Sequence, residues 1–239
     1  MEALNIVVTP PKTDIVNIDE LRLFEKGYLV TSNDKSAFNE QYRQIKRAVI
    51  DQAFGSTKKK ENSNLVMVTS ANKKEGKTFV AVNLALSSAL EKNKTVLLID
   101  ANVINPTIHN EFDFESKNGL IEYLLGEIDD LSEVIYNTSI DNLKIIPAGK
   151  PHYLTNELLA SDLMKKLTRE LATRYPDRLV IFDAPEINNV AETSILSSQV
   201  GQVVFVAQAN KTKLSSAKQA CERLPEDTDV GIVINKRIR

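Results

Sequence analysis

With one cysteine in 239 residues, the chain has no intrachain disulfide, and Cys221 fits a reducing compartment. Two histidines added to that cysteine fall short of a typical structural zinc set, so any bound metal is expected on oxygen ligands. Long apolar runs are missing too. Thr95 to Ile99 and Val203 to Ala207 have core-strand length, against the roughly twenty residues that a bilayer demands. Neither a transmembrane segment nor a signal peptide is therefore expected. Charge of one sign is equally scarce: 30 basic against 32 acidic residues leave a net charge of −2, which gives nucleic acid no global basis as a partner. The 42% hydrophobic content suffices for one large α/β core preceded by an N-terminal arm.

Residues 1–34 are polar, punctuated by Pro10, Pro11 and Gly27, with scattered apolar positions such as Leu21, Leu23 and Phe24. Phe38, Tyr42, Ile45, Val49 and Ala53 recur at spacings of three and four, which predicts a helix over 36–54 with one face able to dock. Lys58, Lys59 and Lys60 read as a solvated linker, so the arm is assigned to 1–63 and the main domain to 64–239. From Leu65 onward, apolar strands alternate with helical patterns. Strands are expected at 65–69, 95–99, 143–146, 178–182, 203–206 and 230–234, and helices from Lys77, near 120–125, after Ser161 and over 214–224. Ser161 is a candidate N-cap for a helix with Leu163, Met164, Leu167 and Leu171 on one face. Apolar runs without alternation imply strands buried on both faces, hence a parallel sheet with helices on both sides.

The segment Leu65-Val-Met-Val-Thr-Ser-Ala-Asn-Lys-Lys-Glu-Gly-Lys-Thr78 carries the chemistry. A strand runs into a loop closing on Gly76, Lys77 and Thr78. These supply a glycine where backbone N–H groups turn toward phosphates, an ammonium for the β and γ oxygens, and a hydroxyl for Mg²⁺. Ala71 stands where the pattern G-x-x-x-x-G-K-[ST] opens on glycine, so the match rests on the second half and on the strand–loop–helix order. Lys73, Lys74 and Glu75 complete the loop. The two lysines either add cations near phosphate or stand as solvent-exposed tips.

Ligands of open parallel sheets lie beyond the carboxyl ends of the strands. Asp100 ends Val96-Leu-Leu-Ile99, and Asp183 ends Leu179-Val-Ile-Phe182 ahead of Ala184-Pro185. Aspartate also ends strands as a turn former, but beside the phosphate loop the set Lys77, Thr78, Asp100 and Asp183 is a coherent Mg²⁺–nucleotide site.

Val96-Leu-Leu-Ile-Asp-Ala-Asn-Val-Ile-Asn-Pro106 resembles the second acidic motif, D-x-D followed by proline, of bacterial tyrosine kinases, and Asp183-Ala-Pro185 is similar to their D-x-P motif. The likeness extends to Asn118-Gly-Leu-Ile-Glu-Tyr-Leu-Leu125, Pro147-Ala-Gly149, Glu157-Leu-Leu-Ala-Ser161, Arg174-Tyr-Pro-Asp-Arg178 and Gly231-Ile-Val-Ile-Asn-Lys236. Within that family the chain most resembles the exosortase-associated tyrosine autokinases of exopolysaccharide systems. The resemblance implies a P-loop fold of the deviant Walker (MinD/ParA-like) type. It also implies a cytoplasmic kinase using ATP and Mg²⁺, at the inner face of the membrane through a membrane-embedded partner that controls polysaccharide chain length or export. Lys77 would neutralise charge on the transferred group, and Thr78 and Asp183 would serve the metal. Asp100 would orient or deprotonate tyrosine as well as reach the metal, and Asn235 would contact adenine.

Four departures follow. Asn102 replaces the second aspartate of D-x-D with a neutral amide that carries no charge and accepts no proton near neutral pH. Lys73 and Lys74 replace the Pro-Gly often found in the loop. No tyrosine follows Tyr175 where the family's tyrosine-rich tail would stand, so either that tail lies outside this sequence, or the acceptors are Tyr28, Tyr42, Tyr123, Tyr136 and Tyr153, or they are on another protein, or catalysis is lost. Glu40, Arg43 and Lys46 resemble the E-x-x-R-x-x-R motif of ring-forming relatives, with lysine third, and imply a homo-oligomer; an ordinary ion pair on a solvated helix is the alternative. Two other functions stay open. One is a nucleotide-binding scaffold weakened by Asn102. The other is a partitioning-type ATPase, against which stand Asn72 in place of a signature lysine and the lack of a basic amphipathic end.

Overall fold

The computed structural model describes residues 15–29, 36–55, 60 and 62–237. Pro10, Pro11, Lys58 and Lys59 lie outside the described residues.

Strands β1 (Leu65–Ser70), β2 (Thr95–Asp100), β3 (Tyr136–Asn137), β4 (Leu143–Ile146), β5 (Arg178–Asp183), β6 (Gln202–Gln208) and β7 (Asp229–Asn235) form one sheet in the order β3-β4-β2-β5-β1-β6-β7. Every pairing is parallel except that of β3, a two-residue edge strand antiparallel to β4. The sequence reading missed β3, which is too short to show a period. Helices are α1 (Glu20–Glu25), α2 (Ala37–Phe54), α3 (Lys77–Ala89), α4 (Ile108–Glu111), α5 (Leu120–Leu124), α6 (Thr155–Leu159), α7 (Asp162–Arg174), α8 (Ala191–Ser197) and α9 (Leu214–Cys221).

Why the strands read as unbroken apolar runs is visible in the two cores. Leu65, Met67, Leu97, Ile99, Val180 and Phe182 face the layer containing α5, α7 and α9. Their neighbours Val66, Val68, Val96, Leu98, Leu179 and Ile181 face the opposite layer with α2 and α3. Side chains alternate between faces along a strand, and here both faces are dry, so both sets must be apolar. Helix α3, buried over nearly its whole surface, is overlaid by α2 through Tyr42, Val49 and Ala53, with Phe38 and Ile45 packed alongside. The docking face predicted for α2 is thus occupied by the chain's own core.

The segment expected as a polar arm packs closely over residues 15–29. Val16, Ile18, Leu23, Tyr28 and Leu29 are buried, whereas Leu21 and Phe24 are exposed. Hydrogen bonds near both ends fasten it. Val16 donates its N–H to Asn137 O at 2.8 Å and accepts from Ser139 N–H at 2.9 Å, extending the β3 edge. Asn83, buried within α3, accepts the Leu29 N–H at 2.7 Å, which satisfies a polar group in an apolar layer. Ser161 caps α7 by accepting the Met164 N–H at 3.1 Å. Met164, Leu167 and Leu171 are buried, but Leu163 is exposed, because it lies about 100° around the helix from Met164. Tyr175, at the end of α7, carries the Arg178 guanidinium 3.8 Å from its ring centroid, a structural contact.

Two of the sequence segments are joined by one buried carboxylate. Glu122 accepts from Gly119 N–H at 2.7 Å and Lys150 N–H at 2.9 Å, while Leu120 and Ile121 donate to Pro147 and Ala148 carbonyls. Gly149, at φ 93°, leaves room for it: a Cβ there would lie 2.1 Å from Glu122 Oε2. The Asn118–Leu125 and Pro147–Gly149 motifs therefore form one structural clasp at the carboxyl end of β4.

Candidate nucleotide site

Strands β1, β2 and β5 are adjacent and parallel, so their carboxyl ends open onto one rim. Loop 71–76 leaves β1 and enters α3 at Gly76, which has φ 95° and gives the helix no side-chain cap. Uncapped N–H groups at a helix start are the donors that an anion can use. Gly76 is fixed by a close approach as well as by its backbone angle. A Cβ there would stand 2.1 Å from Asn235 Nδ2, which donates to Glu75 O at 3.1 Å. Lys74 is held in the left-handed region at φ 65°, and its carbonyl accepts from Lys236 Nζ at 2.7 Å. The end of β7 thus braces the loop from outside.

Register places Asp100 opposite Asp183 on neighbouring strands, both completely buried. Thr78 donates its hydroxyl to Asp183 Oδ2 at 2.6 Å, and Thr107 Oγ1 lies 3.4 Å from Thr78 Oγ1. Asp100 accepts three backbone N–H groups: Asn102 on Oδ1 at 3.2 Å, Thr107 and Ile108 on Oδ2 at 3.0 Å each. Burial, then repulsion by Asp183, pushes the Asp100 carboxyl well above the usual range, although those three N–H groups pull the other way. Burial raises Asp183 too, opposed by the Thr78 hydroxyl and the Lys77 ammonium. Two like charges facing one another in a dry site call for a cation.

Mg²⁺ fits the oxygens present. Asp183 Oδ1 is buried with no hydrogen-bond partner, adjacent to the Thr78 hydroxyl, as a carboxylate awaiting a further ligand would be. Among the described residues, no three His, Cys, Asp or Glu side chains make a metal cage of their own. Mg²⁺ commonly completes such a partial shell with water and phosphate oxygens.

Comparison with known proteins supplies the family. The chain matches the AAA domain family over residues 65–226. It is 34% identical over 200 residues to the tyrosine-protein kinase YwqD of Bacillus subtilis (strain 168), covering 84% of this chain and 81% of that one. The chain belongs to the bacterial tyrosine-protein kinase family. It spans only 23% of another relative, the tyrosine-protein kinase ptk of Acinetobacter johnsonii, at 29% identity over 173 residues and 72% of this chain. In fold it is similar to the crystal structure of the chimerical protein CapA2B2, with a TM-score of 0.77, 24% identity and coverage of 95% and 96%. Septum site-determining MinD of Pyrococcus horikoshii OT3, complexed with Mg-ADP, shares the sheet more distantly, at a TM-score of 0.57, 20% identity and coverage of 71% and 69%. The expected parallel P-loop architecture of the deviant Walker type is thereby met, with β3 the antiparallel exception among the described residues.

Within this family member, the residues singled out from sequence do not all converge. Lys77, Thr78, Asp100 and Asp183 do. The Lys73 ammonium approaches Glu186 Oε1 at 3.8 Å while its side chain stays 60% exposed; Lys74 points outward. Glu75 turns its carboxylate away from the loop's mouth, accepting from Asn72 N–H and Nδ2 at 3.0 Å each and from the Thr212 hydroxyl at 2.6 Å. Its side chain is a brace, so only its backbone is left to face phosphate. Asn102, expected beside the metal, donates Nδ2 to Asn105 O at 2.9 Å and stabilises the turn after β2. Asn235 has its amide donor committed to Glu75 O. Glu40 and Arg43 pair with each other at 3.5 Å on the exposed face of α2, whereas Lys46 reaches Glu91 of the same chain at 2.6 Å.

Sequence reasoning missed Thr107, Thr212, Lys236 and Glu186. Glu186 left a trace as an acid directly after Asp183-Ala-Pro185, and Lys236 as the end of the Gly231–Lys236 motif; Thr107 and Thr212 act through contacts between distant segments.

Proposed function

We propose that this chain is an ATP-dependent protein-tyrosine kinase and autokinase that regulates exopolysaccharide biosynthesis or export. The observation that carries the reading is the junction of Thr78 and Asp183, where a hydroxyl meets a carboxylate whose second oxygen is buried and unpaired. The loop N–H groups at the start of α3 would bind the phosphates, with Lys77 opposing the charge that builds up on the transferred group. Bound Mg²⁺ would neutralise the β and γ oxygens, held by Thr78 and Asp183, with Asp100 placed to share its shell. With bound Mg²⁺ offsetting the repulsion by Asp183, Asp100 would stand ionised, and its Oδ1, which accepts only the Asn102 N–H, would be left to take the tyrosine hydroxyl proton. Asn235 would present its amide oxygen to the base.

Of the tyrosines, Tyr28, Tyr42 and Tyr123 are buried, and the Tyr136 hydroxyl is engaged by the Lys117 and Asn118 backbone. Tyr153, 84% exposed in the loop after β4, is the acceptor that geometry favours. Glu40 and Arg43 on the open face of α2 support self-association, and the exopolysaccharide resemblance supports a membrane-embedded activator. No helix among the described residues is long and apolar enough to cross a membrane; the family resemblance supports a place at the cytoplasmic face through that partner.

The position of Asn102 favours a second reading, a nucleotide-binding scaffold with weakened transfer, because its amide is spent on a turn. Incubation of purified protein with Mg-ATP, followed by phosphotyrosine mapping with Lys77→Met as control, separates the two. Phosphotyrosine that depends on Lys77 supports the kinase. ATP binding without phosphotyrosine, even with the membrane partner present, leaves the scaffold.

A further inference from the structure

Glu186 is an acid in an unusual place. It is only 2% exposed, and Oε1 has no hydrogen-bond partner. Its two oxygens lie against the phosphate-loop lysines, Oε1 at 3.8 Å from Lys73 Nζ and Oε2 at 4.0 Å from Lys77 Nζ. The backbone fixes that position. Ile187 N–H donates to Ser70 O at 3.0 Å, Asn188 N–H to Ala71 O at 3.4 Å, and the Thr69 hydroxyl to Pro185 O at 2.6 Å. The stretch after β5 is thereby stitched to the end of β1 and the start of the loop, which fixes the Glu186 backbone beside the two lysines. An ionised carboxylate left in such a site needs cations, and the two at hand are those a triphosphate would claim.

We infer that Glu186 is the resident counter-ion of Lys73 and Lys77, a positioning residue that holds both ammoniums at the mouth of the loop and competes with the nucleotide for them. This rests on the nucleotide reading above and deepens it. The Lys77 ammonium stands 4.0 Å from Glu186 Oε2 and its charge also acts on Asp183, so it is already held at the loop when ligand arrives. When phosphate takes Lys77, the carboxylate keeps Lys73 as its partner. That gives Lys73 a task beyond being a surface tip. The fixed negative charge also opposes the polyphosphate, more strongly for three phosphates than for two, which lowers affinity for the nucleoside triphosphate.

The test is calorimetric binding of Mg-ATP and Mg-ADP to the whole chain with the isosteric change Glu186→Gln, the charge-keeping change Glu186→Asp, and Lys73→Met. Removing one unit charge close to a polyphosphate in a partly wet site is expected to tighten Mg-ATP roughly tenfold, and Mg-ADP by roughly threefold. Glu186→Asp should stay within about twofold of the unaltered protein. Lys73→Met should weaken Mg-ATP, and its effect should differ in the Glu186→Gln background, since paired groups are not additive. A structural defect would weaken both nucleotides alike. Unchanged or weaker Mg-ATP binding in Glu186→Gln, or additive effects of the two substitutions, overturns the inference while leaving the nucleotide site standing. No binding by the unaltered protein overturns both.

Discussion

Replacing Gly76 with alanine tests the brace between β7 and the phosphate loop. Two costs are built in. At φ 95° an L residue is strained, by about 1–2 kcal/mol on the usual scale for left-handed backbone. The new Cβ would also stand 2.1 Å from Asn235 Nδ2, and that amide can escape only by giving up its bond to Glu75 O, worth about 1 kcal/mol. Together the change should cost about 2–3 kcal/mol, partly offset by the entropy that alanine removes from the unfolded chain. For a chain of this size that lowers the melting temperature by roughly 5–10 °C. Asn235→Ala alone should cost about 1 kcal/mol. The informative variant is the double one. With Asn235 already trimmed, Gly76→Ala meets no amide, so the pair should be less harmful than the sum of the singles by about 1 kcal/mol. Chemical denaturation of the four proteins measures that coupling. Strict additivity would show that Asn235 is not the obstacle, and the account of why glycine is needed would reduce to backbone strain alone.

Glu122→Ala should destabilise by about 2–3 kcal/mol in denaturant melts, because the buried Gly119 N–H and the half-buried Lys150 N–H both lose their acceptor. The facing aspartates set a pH dependence. Their carboxyls are raised in the folded state, so the fold holds protons that the unfolded chain releases, and nucleotide-free stability falls as pH rises from about 4. Asp183→Asn should therefore raise the melting temperature of the nucleotide-free protein at pH 8 by several degrees, with little effect at pH 4; an equal gain at both would refute the repulsion. Asn102→Asp should increase Mg-dependent phosphotyrosine formation by roughly tenfold if the missing charge limits transfer. No change would mean that the bond from Asn102 to Asn105 O, and not its neutrality, explains the residue.

Much of the sheet was legible because its physics is local to each strand. Among the described residues, β1, β2, β4, β5 and β6 announced themselves as short apolar runs because burial on both faces leaves few polar residues in their middles; β7 was found from its apolar residues too, but the expectation of burial on both faces fails there, since as an edge strand it leaves Val230, Ile232 and Ile234 exposed. β3 did not announce itself, having two residues and an edge position. Helix α8 was missed for a related reason: it is seven residues long, with too little length for a period to emerge. The fate of residues 15–29 was hidden differently. Val16, Ile18, Leu23, Tyr28 and Leu29 are spaced irregularly, and their burial depends on partners more than fifty residues away, such as Asn83 and Ser139.

The same distinction runs through the site. Lys77, Thr78, Asp100 and Asp183 could be found from sequence because each sits at a fixed offset from the end of a strand, and parallel strands bring their ends together without further instruction. Glu75 shows where that logic stops. Its backbone belongs to the phosphate loop, so sequence placed the side chain there as well, but the carboxylate is drawn into bonds with Asn72 and Thr212. Asn72 in turn accepts from Ser216, whose hydroxyl and carbonyl accept from Asn188, three residues past the Asp183-Ala-Pro185 motif. The loop is held by a polar net drawn from three crossover connections, and none of its members is distinctive alone. A loop stiffened from its outer side in this way can dispense with the opening glycine of the common pattern, and Ala71, fully buried where the net begins, is the residue that shows it.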